Sequence, residues 1–89
     1  MQKADVEIVN KLGLHARAAA KFVSLASTFD SEIGLEKDGR QVNGKSIMGV
    51  MMLAASQGTR VRLTADGPDE EEALRQLQDL VSDCFGEGE

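Results

Sequence analysis

Apolar and polar positions alternate at the start of the chain. Ala4, Val6 and Ile8 are interleaved with Asp5, Glu7 and Val9, a period of two that predicts a strand with one buried face. After Asn10-Lys11-Leu12-Gly13-Leu14 the period lengthens. Ala19, Phe22, Val23, Ala26 and Phe29 share one helical face opposite Arg17, Lys21, Ser24 and Thr28, which predicts an amphipathic helix of about three turns. Ile33 and Leu35, flanked by Glu32 and Glu36, restore the period of two. Asp38-Gly39 then supplies residues that accept positive φ in a tight hairpin leading to Arg40-Gln41-Val42. Asn43-Gly44-Lys45-Ser46 breaks the strand pattern. Ser46 is suited to cap a second helix whose buried face is Ile47, Val50, Met51 and Ala54 and which Gln57-Gly58 ends. Val61, Leu63 and Ala65 alternate with Arg60, Arg62 and Thr64 as a fourth strand. Gly67-Pro68 opens a third helix with proline at its first position and the acidic run Asp69 to Glu72 at the positive end of its dipole. Leu74, Leu77, Val81 and Cys84 point inward from it. The closing Gly-Glu-Gly-Glu, residues 86–89, predicts a frayed tail.

The order is therefore β-α-β-β-α-β-α, in strands that are each apolar on one side only. Such strands fit an α+β fold of the open-faced β-sandwich kind: a four-stranded, mostly antiparallel sheet with three helices on one face and water on the other. Eighty-nine residues, 42% hydrophobic and 28% charged, form a single domain, 1–89, and leave no room for a large enclosed active site. A net charge of −5 repels phosphate backbones and anionic membranes, and three Phe with no Trp or Tyr give no base-stacking platform, so nucleic acid is not an expected partner. The longest apolar stretch, Ile47 to Ala55, is far short of the roughly 20 residues that span a bilayer, and the start of the chain lacks a secretory signal. Cys84 is the one cysteine and reads as a structural thiol in a reducing, cytoplasmic compartment. No metal or organic cofactor is indicated.

The one histidine, His15, stands in the break before the first helix, directly ahead of Ala16-Arg17. A helix N-terminus offers unpaired amides and the positive end of the dipole, which disfavour imidazolium and welcome an anion. A neutral imidazole is a nucleophile, and the Arg17 guanidinium matches phosphate oxygens. The residues alone leave open a plainer role for His15 as a helix cap or solvated loop residue.

Asn10-Lys11-Leu12-Gly13-Leu14-His15-Ala16-Arg17 and Gly44-Lys45-Ser46-Ile47-Met48-Gly49-Val50-Met51 resemble the two signature blocks of the HPr family, the histidine-containing phosphocarriers of the bacterial phosphoenolpyruvate:sugar phosphotransferase system. The similarity runs from Val6 to about Phe85. It implies a carrier, not an enzyme: Nδ1 of His15 takes a phosphoryl group from enzyme I and passes it to a histidine of an enzyme IIA. Arg17 and the backbone amides of Ala16 and Arg17 cradle that group. The resemblance also makes Ser46 the regulatory serine of HPr kinase/phosphorylase, and Ile47, Met48 and Met51 the apolar docking patch. The second block is closer to the version of Gram-positive carriers, where this regulation is typical. Arg17, Lys21 and Lys45 are candidates for a basic rim to that patch, and a monomer is expected of a shuttle. One departure is Ala18, where the family usually has proline. Two alternatives stay open: a nitrogen-branch carrier of the NPr kind, or a docking-only regulator switched at Ser46.

Gly39-Arg40-Gln41-Val42-Asn43-Gly44-Lys45-Ser46 also satisfies the Gly-x4-Gly-Lys-Ser pattern of a nucleotide-binding loop. The half-polar strand before it and the better use of Asp38-Gly39 as a hairpin turn argue against that reading.

Overall fold

The structure, a computed structural model, describes residues 1–86. Four strands, β1 (Gln2–Glu7), β2 (Glu32–Lys37), β3 (Arg40–Asn43) and β4 (Arg60–Asp66), form one sheet in the order β1-β4-β2-β3. Every neighbouring pair is antiparallel. The helices are α1 (Ala16–Ala26), α2 (Ile47–Met52) and α3 (Glu70–Ser82). Val6, Ile8, Ile33, Leu35, Val61, Leu63 and Ala65 point from the sheet into one core with residues of all three helices, while Asp5, Glu7, Glu32, Arg60 and Arg62 face water. The expected one-sided sheet is therefore present.

Helix α1 holds alanine at 16, 18, 19, 20 and 26, which favours helix, and Ala18, Ala19 and Ala26 are fully buried. Their small side chains let the helix lie close over the sheet beside Phe22. Phe29 is buried too, but beyond the end of the helix. In the β2–β3 hairpin both turn residues take positive φ, 52° at Asp38 and 82° at Gly39, between the paired Lys37 and Arg40. This is the turn that matches the right-handed twist of its strands.

Four expectations are corrected. Of the four residues expected on the buried face of α2, only Val50 is buried; Ile47 and Met51 are exposed. The helix is six residues long, ends at Met52 rather than at Gln57-Gly58, and is followed by Ala54 at φ 52°, which turns Leu53 and Ala55 into the core and Ala54 out. Pro68 is not the first residue of α3, which starts at Glu70 after Asp69. The Asp69 carboxylate does not cap its own helix; it accepts from the amides of Asp30 (2.9 Å) and Ser31 (3.0 Å) and from the Ser31 hydroxyl. Glu70 performs the local capping, accepting from the Gly67 amide at 3.1 Å. Finally, Cys84 lies past the end of α3 and is half-buried. Cys84, Phe85 and Gly86 form a left-handed turn, with φ of 53°, 55° and 75°, and it is Phe85 that fills the core. Gly86 closes that turn through its amide to the Asp83 carbonyl; the rest of the expected tail lies outside the described residues.

Hydrogen bonds from the Ser31 hydroxyl and the Asp30 amide hold the Asp69 carboxyl below its ordinary value of 3.8. A carboxyl with a depressed folded pKa contributes stability that is fully present above the unfolded pKa and lost as pH falls through the folded one. Asp69→Asn is therefore expected to lower Tm by several degrees near neutral pH, and the gap to the parent should close below about pH 4. Thermal melts across that range check it.

Candidate functional site

The segment before His15 is built to hold still. Ile8 exchanges backbone bonds with the loop after α2, donating to Thr59 (2.9 Å) and accepting from Gly58 (2.7 Å). Gln57 reaches the Val9 carbonyl at 3.1 Å. Leu14 donates to the Ala55 carbonyl at 2.9 Å. Gly13, at φ 67°, has no room for a side chain, since a Cβ there would stand 2.4 Å from that same oxygen. The loop following α2 is thus the wall against which the His15 segment is pressed.

His15 is the N-cap of α1, extended at φ −74° and ψ 176°, and its Nδ1 accepts from the Arg17 amide at 3.3 Å. Its carbonyl accepts from Ala19 at 2.8 Å, the first bond of the helical ladder. Because Nδ1 is an acceptor, the proton of the neutral ring is on Nε2 and the Nδ1 lone pair points at the helix end. His15 is half-exposed, Ala16 and Arg17 are exposed, and no acidic residue lies in the first turn. Amides and dipole therefore act together there to favour an incoming anion, and Arg17 adds a positive charge to the same turn.

Of the three candidate cations of the basic rim, Arg17 bonds His15 through its backbone amide. Lys21 gives its ammonium to the Phe85 carbonyl at 2.8 Å. Lys45 gives its own to the Phe29 carbonyl, also at 2.8 Å. Phe29 follows the C-terminal end of α1, so the Lys45 ammonium stands about 15 Å of helix length from the histidine.

Ser46 caps α2 as expected, its Oγ accepting from the Gly49 amide at 3.0 Å. The far end of α2 is satisfied by cations of the hairpin, Lys37 to the Leu53 carbonyl (3.1 Å) and Arg40 to that of Met52 (3.2 Å). Between these caps Ile47, Met48, Met51 and Met52 are 44%, 73%, 40% and 60% exposed, a larger apolar stripe than the sequence pattern indicated. Leu12, in the turn before His15, is 67% exposed, whereas Leu14 two residues on is buried, a difference that the sequence pattern does not mark. Gly39 of the nucleotide-loop pattern sits in the hairpin turn, and the strand that follows it is a sheet edge rather than a buried parallel strand. A depression of about 520 Å³ on the helix-free face around Gly34, Gln41, Asn43 and Thr64 does not include His15. Among the described residues no three His, Cys, Asp or Glu are grouped to hold a metal, and no helix is long and apolar enough to cross a membrane.

A histidine that caps an exposed helix end thus lies on the same molecule as an exposed apolar stripe on α2. The comparisons with known proteins give the family. The family described as "PTS HPr component phosphorylation site" matches residues 2–83, so the chain belongs to the HPr family and is a phosphocarrier of the phosphotransferase system, not a catalyst. It is 58% identical to the phosphocarrier protein HPr of Neisseria meningitidis serogroup A over 89 residues, 100% of both chains. The crystal structure of HPr-C-His from Thermoanaerobacter tengcongensis is similar at TM-score 0.94 and 56% identity, covering 98% of each chain. An HPr dimer from that organism is similar at TM-score 0.79, covering 98% of this chain and 100% of that one.

Ser46→Ala removes the cap and is expected to cost about 1 kcal/mol in urea unfolding, while Ser46→Asp, itself a good cap, stays near the parent. Any functional effect of Ser46→Asp is then not an effect of unfolding.

Proposed function

We propose that the chain carries phosphoryl groups on Nδ1 of His15, taking them from the phosphohistidine of enzyme I and passing them to a histidine of an enzyme IIA in sugar uptake and carbon regulation. The hydrogen bond from the Arg17 amide to Nδ1 carries this reading. A nitrogen that accepts a hydrogen bond holds the lone pair with which it attacks phosphorus. In the transfer the donor's N–P bond breaks, its pair returning to the donor ring, as the Nδ1–P bond forms. The Nδ1 lone pair is consumed, so the Arg17 amide leaves it and turns to a phosphoryl oxygen beside the Ala16 amide and the Arg17 guanidinium. One N–P bond replaces another, so the step is nearly balanced, and catalysis reduces to positioning and charge.

Docking falls to Arg17 with Ile47, Met48 and Met51, while Lys21 and Lys45 contribute charge from further off. Phosphorylation of Ser46 by HPr kinase/phosphorylase adds a charge of about −2 at the edge of that stripe and opposes docking. The relay is placed in the cytoplasm, and the working form is a monomer, since one face must meet successive partners.

Incubation with phosphoenolpyruvate, Mg²⁺ and enzyme I is expected to add one acid-labile phosphoryl group by intact mass, absent in His15→Ala. Arg17→Ala should slow acceptance by about 10²-fold. Ser46→Asp should slow it as well, and acceptance at the parent rate would refute the regulatory role. No mass gain with an enzyme I that charges its own carrier, repeated with the host's enzyme I, would leave the docking-only regulator.

A further inference from the structure

The three residues before Leu14 are closed into a turn by a side chain. Asn10 is fully buried, and its Nδ2 donates to the Gly13 carbonyl at 2.8 Å. The Asn10 carbonyl accepts from the Gly13 amide at 3.2 Å. Both polar groups of the Gly13 backbone are thus held by one residue, at a position whose left-handed φ of 67° and contact with Ala55 leave it no other arrangement. Leu14 follows, fixed through its amide to Ala55, and its side chain is buried. His15 comes next, its carbonyl already committed to Ala19. Its backbone enters α1 from a pinned peptide on one side and a helical bond on the other. The direction of the imidazole toward the Arg17 amide is inherited from that entry.

We infer that Asn10 is a positioning residue for phosphoryl transfer: it fixes the Gly13–Leu14 backbone and, through it, holds Nδ1 of His15 on the Arg17 amide in line for the incoming phosphorus. The inference rests on the phosphoryl-acceptor reading of His15 and adds a residue that never touches the phosphoryl group. Transfer between two rings is sensitive to small errors of alignment, so a turn that loosens by a fraction of an ångström is felt in the rate. Asn10 suits this role because it offers its donor from inside the core, where water does not compete for the Gly13 carbonyl.

The test compares Asn10→Ala, Asn10→Asp and Asn10→Ser with Val81→Ala, which opens a cavity under α3 far from the turn. In unphosphorylated protein the ¹⁵N shift of His15 Nδ1 and the amide shift of Arg17 are read by NMR. Single-turnover transfer from phospho-enzyme I gives rate and half-saturation separately. Asn10→Ala and Asn10→Asp are expected to move both shifts and to slow the transfer step about tenfold, with half-saturation changed by less than about twofold. Asn10→Ser retains a shorter donor and should fall between them and the parent. Val81→Ala should lower Tm and leave shifts and rate in place. Folded Asn10 variants with parental shifts and rate would overturn the inference, as would equal effects from Val81→Ala. Collapse of all three Asn10 variants would overturn it too, by making Asn10 a folding residue. If the parent accepts no phosphoryl group, the carrier reading fails, and the shifts still decide whether Asn10 orients the ring.

Discussion

The hydrogen bond between Nδ1 of His15 and the Arg17 amide sets the terms for everything around it, because it makes an imidazole the cap of α1 with the same nitrogen that the proposed function requires to react. Imidazole is not among the strong N-caps, which are the short oxygen side chains of Ser, Thr, Asp and Asn. The chain uses a strong cap where it can: Ser46 closes the N-terminus of α2 at 3.0 Å, against 3.3 Å for His15 on α1. Helix α1 is stabilised by other means, through helix-favouring alanines and a face of Ala18, Ala19, Phe22 and Ala26 with no exposed surface. A firmly packed helix can present a weakly capped end, and such an end retains amides for an anion.

That end is positive on a chain whose net charge is −5. The carboxylates are placed elsewhere: Glu70, Glu71 and Glu72 in the first turn of α3, and Asp5, Glu7, Glu32 and Glu36 along the strands. Several are absorbed locally. Glu72 is pulled down to about 2 by its hydrogen bonds with Arg75 and Gln76. The first turn of α1 has no acidic residue. Local arrangement, rather than net charge, thus decides what the site attracts. His15 and the apolar stripe are also joined through one loop. The loop after α2 supplies the Ala55 carbonyl to Leu14, while Lys37 and Arg40 hold the carbonyls at the end of α2. The methionines of α2 and the wall behind His15 therefore belong to one hydrogen-bonded unit.

The parts legible in the sequence were those set by short-range periodicity or by one residue's local chemistry. Alternation in β1, β2 and β4, the Asp38-Gly39 turn and the Ser46 cap need no knowledge of the rest of the chain. His15 was legible as a helix cap from its place directly before the helix, while the flanking block, and not the lone histidine, carried the resemblance to the family. The misreadings arose where tertiary contacts overrode local preference. Asp69 looks like part of an acidic helix start, yet its carboxylate is worth more bridging Ser31 and Asp30 across the fold. Helical spacing from Val81 reaches both Cys84 and Phe85, and only the left-handed turn after Asp83 decides that Phe85 enters the core. Ala54 at positive φ likewise breaks the period of α2, and no sequence signal marks an alanine for that conformation. Lys45 shows how far a long stem carries a charge from its neighbours in sequence, its ammonium meeting the Phe29 carbonyl.

Ala18 brings these strands of argument together. The resemblance to the family leads one to expect proline there, whose ring fixes φ in the first turn of α1 and removes an amide. Alanine leaves φ free and keeps a third first-turn N–H, beside those of Ala16 and Arg17, at the positive end of the helix. The side chain at this position is fully buried, so the substitution alters core packing as well as backbone freedom. Upstream of His15, Gly13 is held at both polar groups by Asn10 and pressed against Ala55, and Leu14 is bonded to the same carbonyl. Rigidity that a ring would impose from within the helix is here imposed from the turn before it, by contacts that leave every amide of the helix end in place.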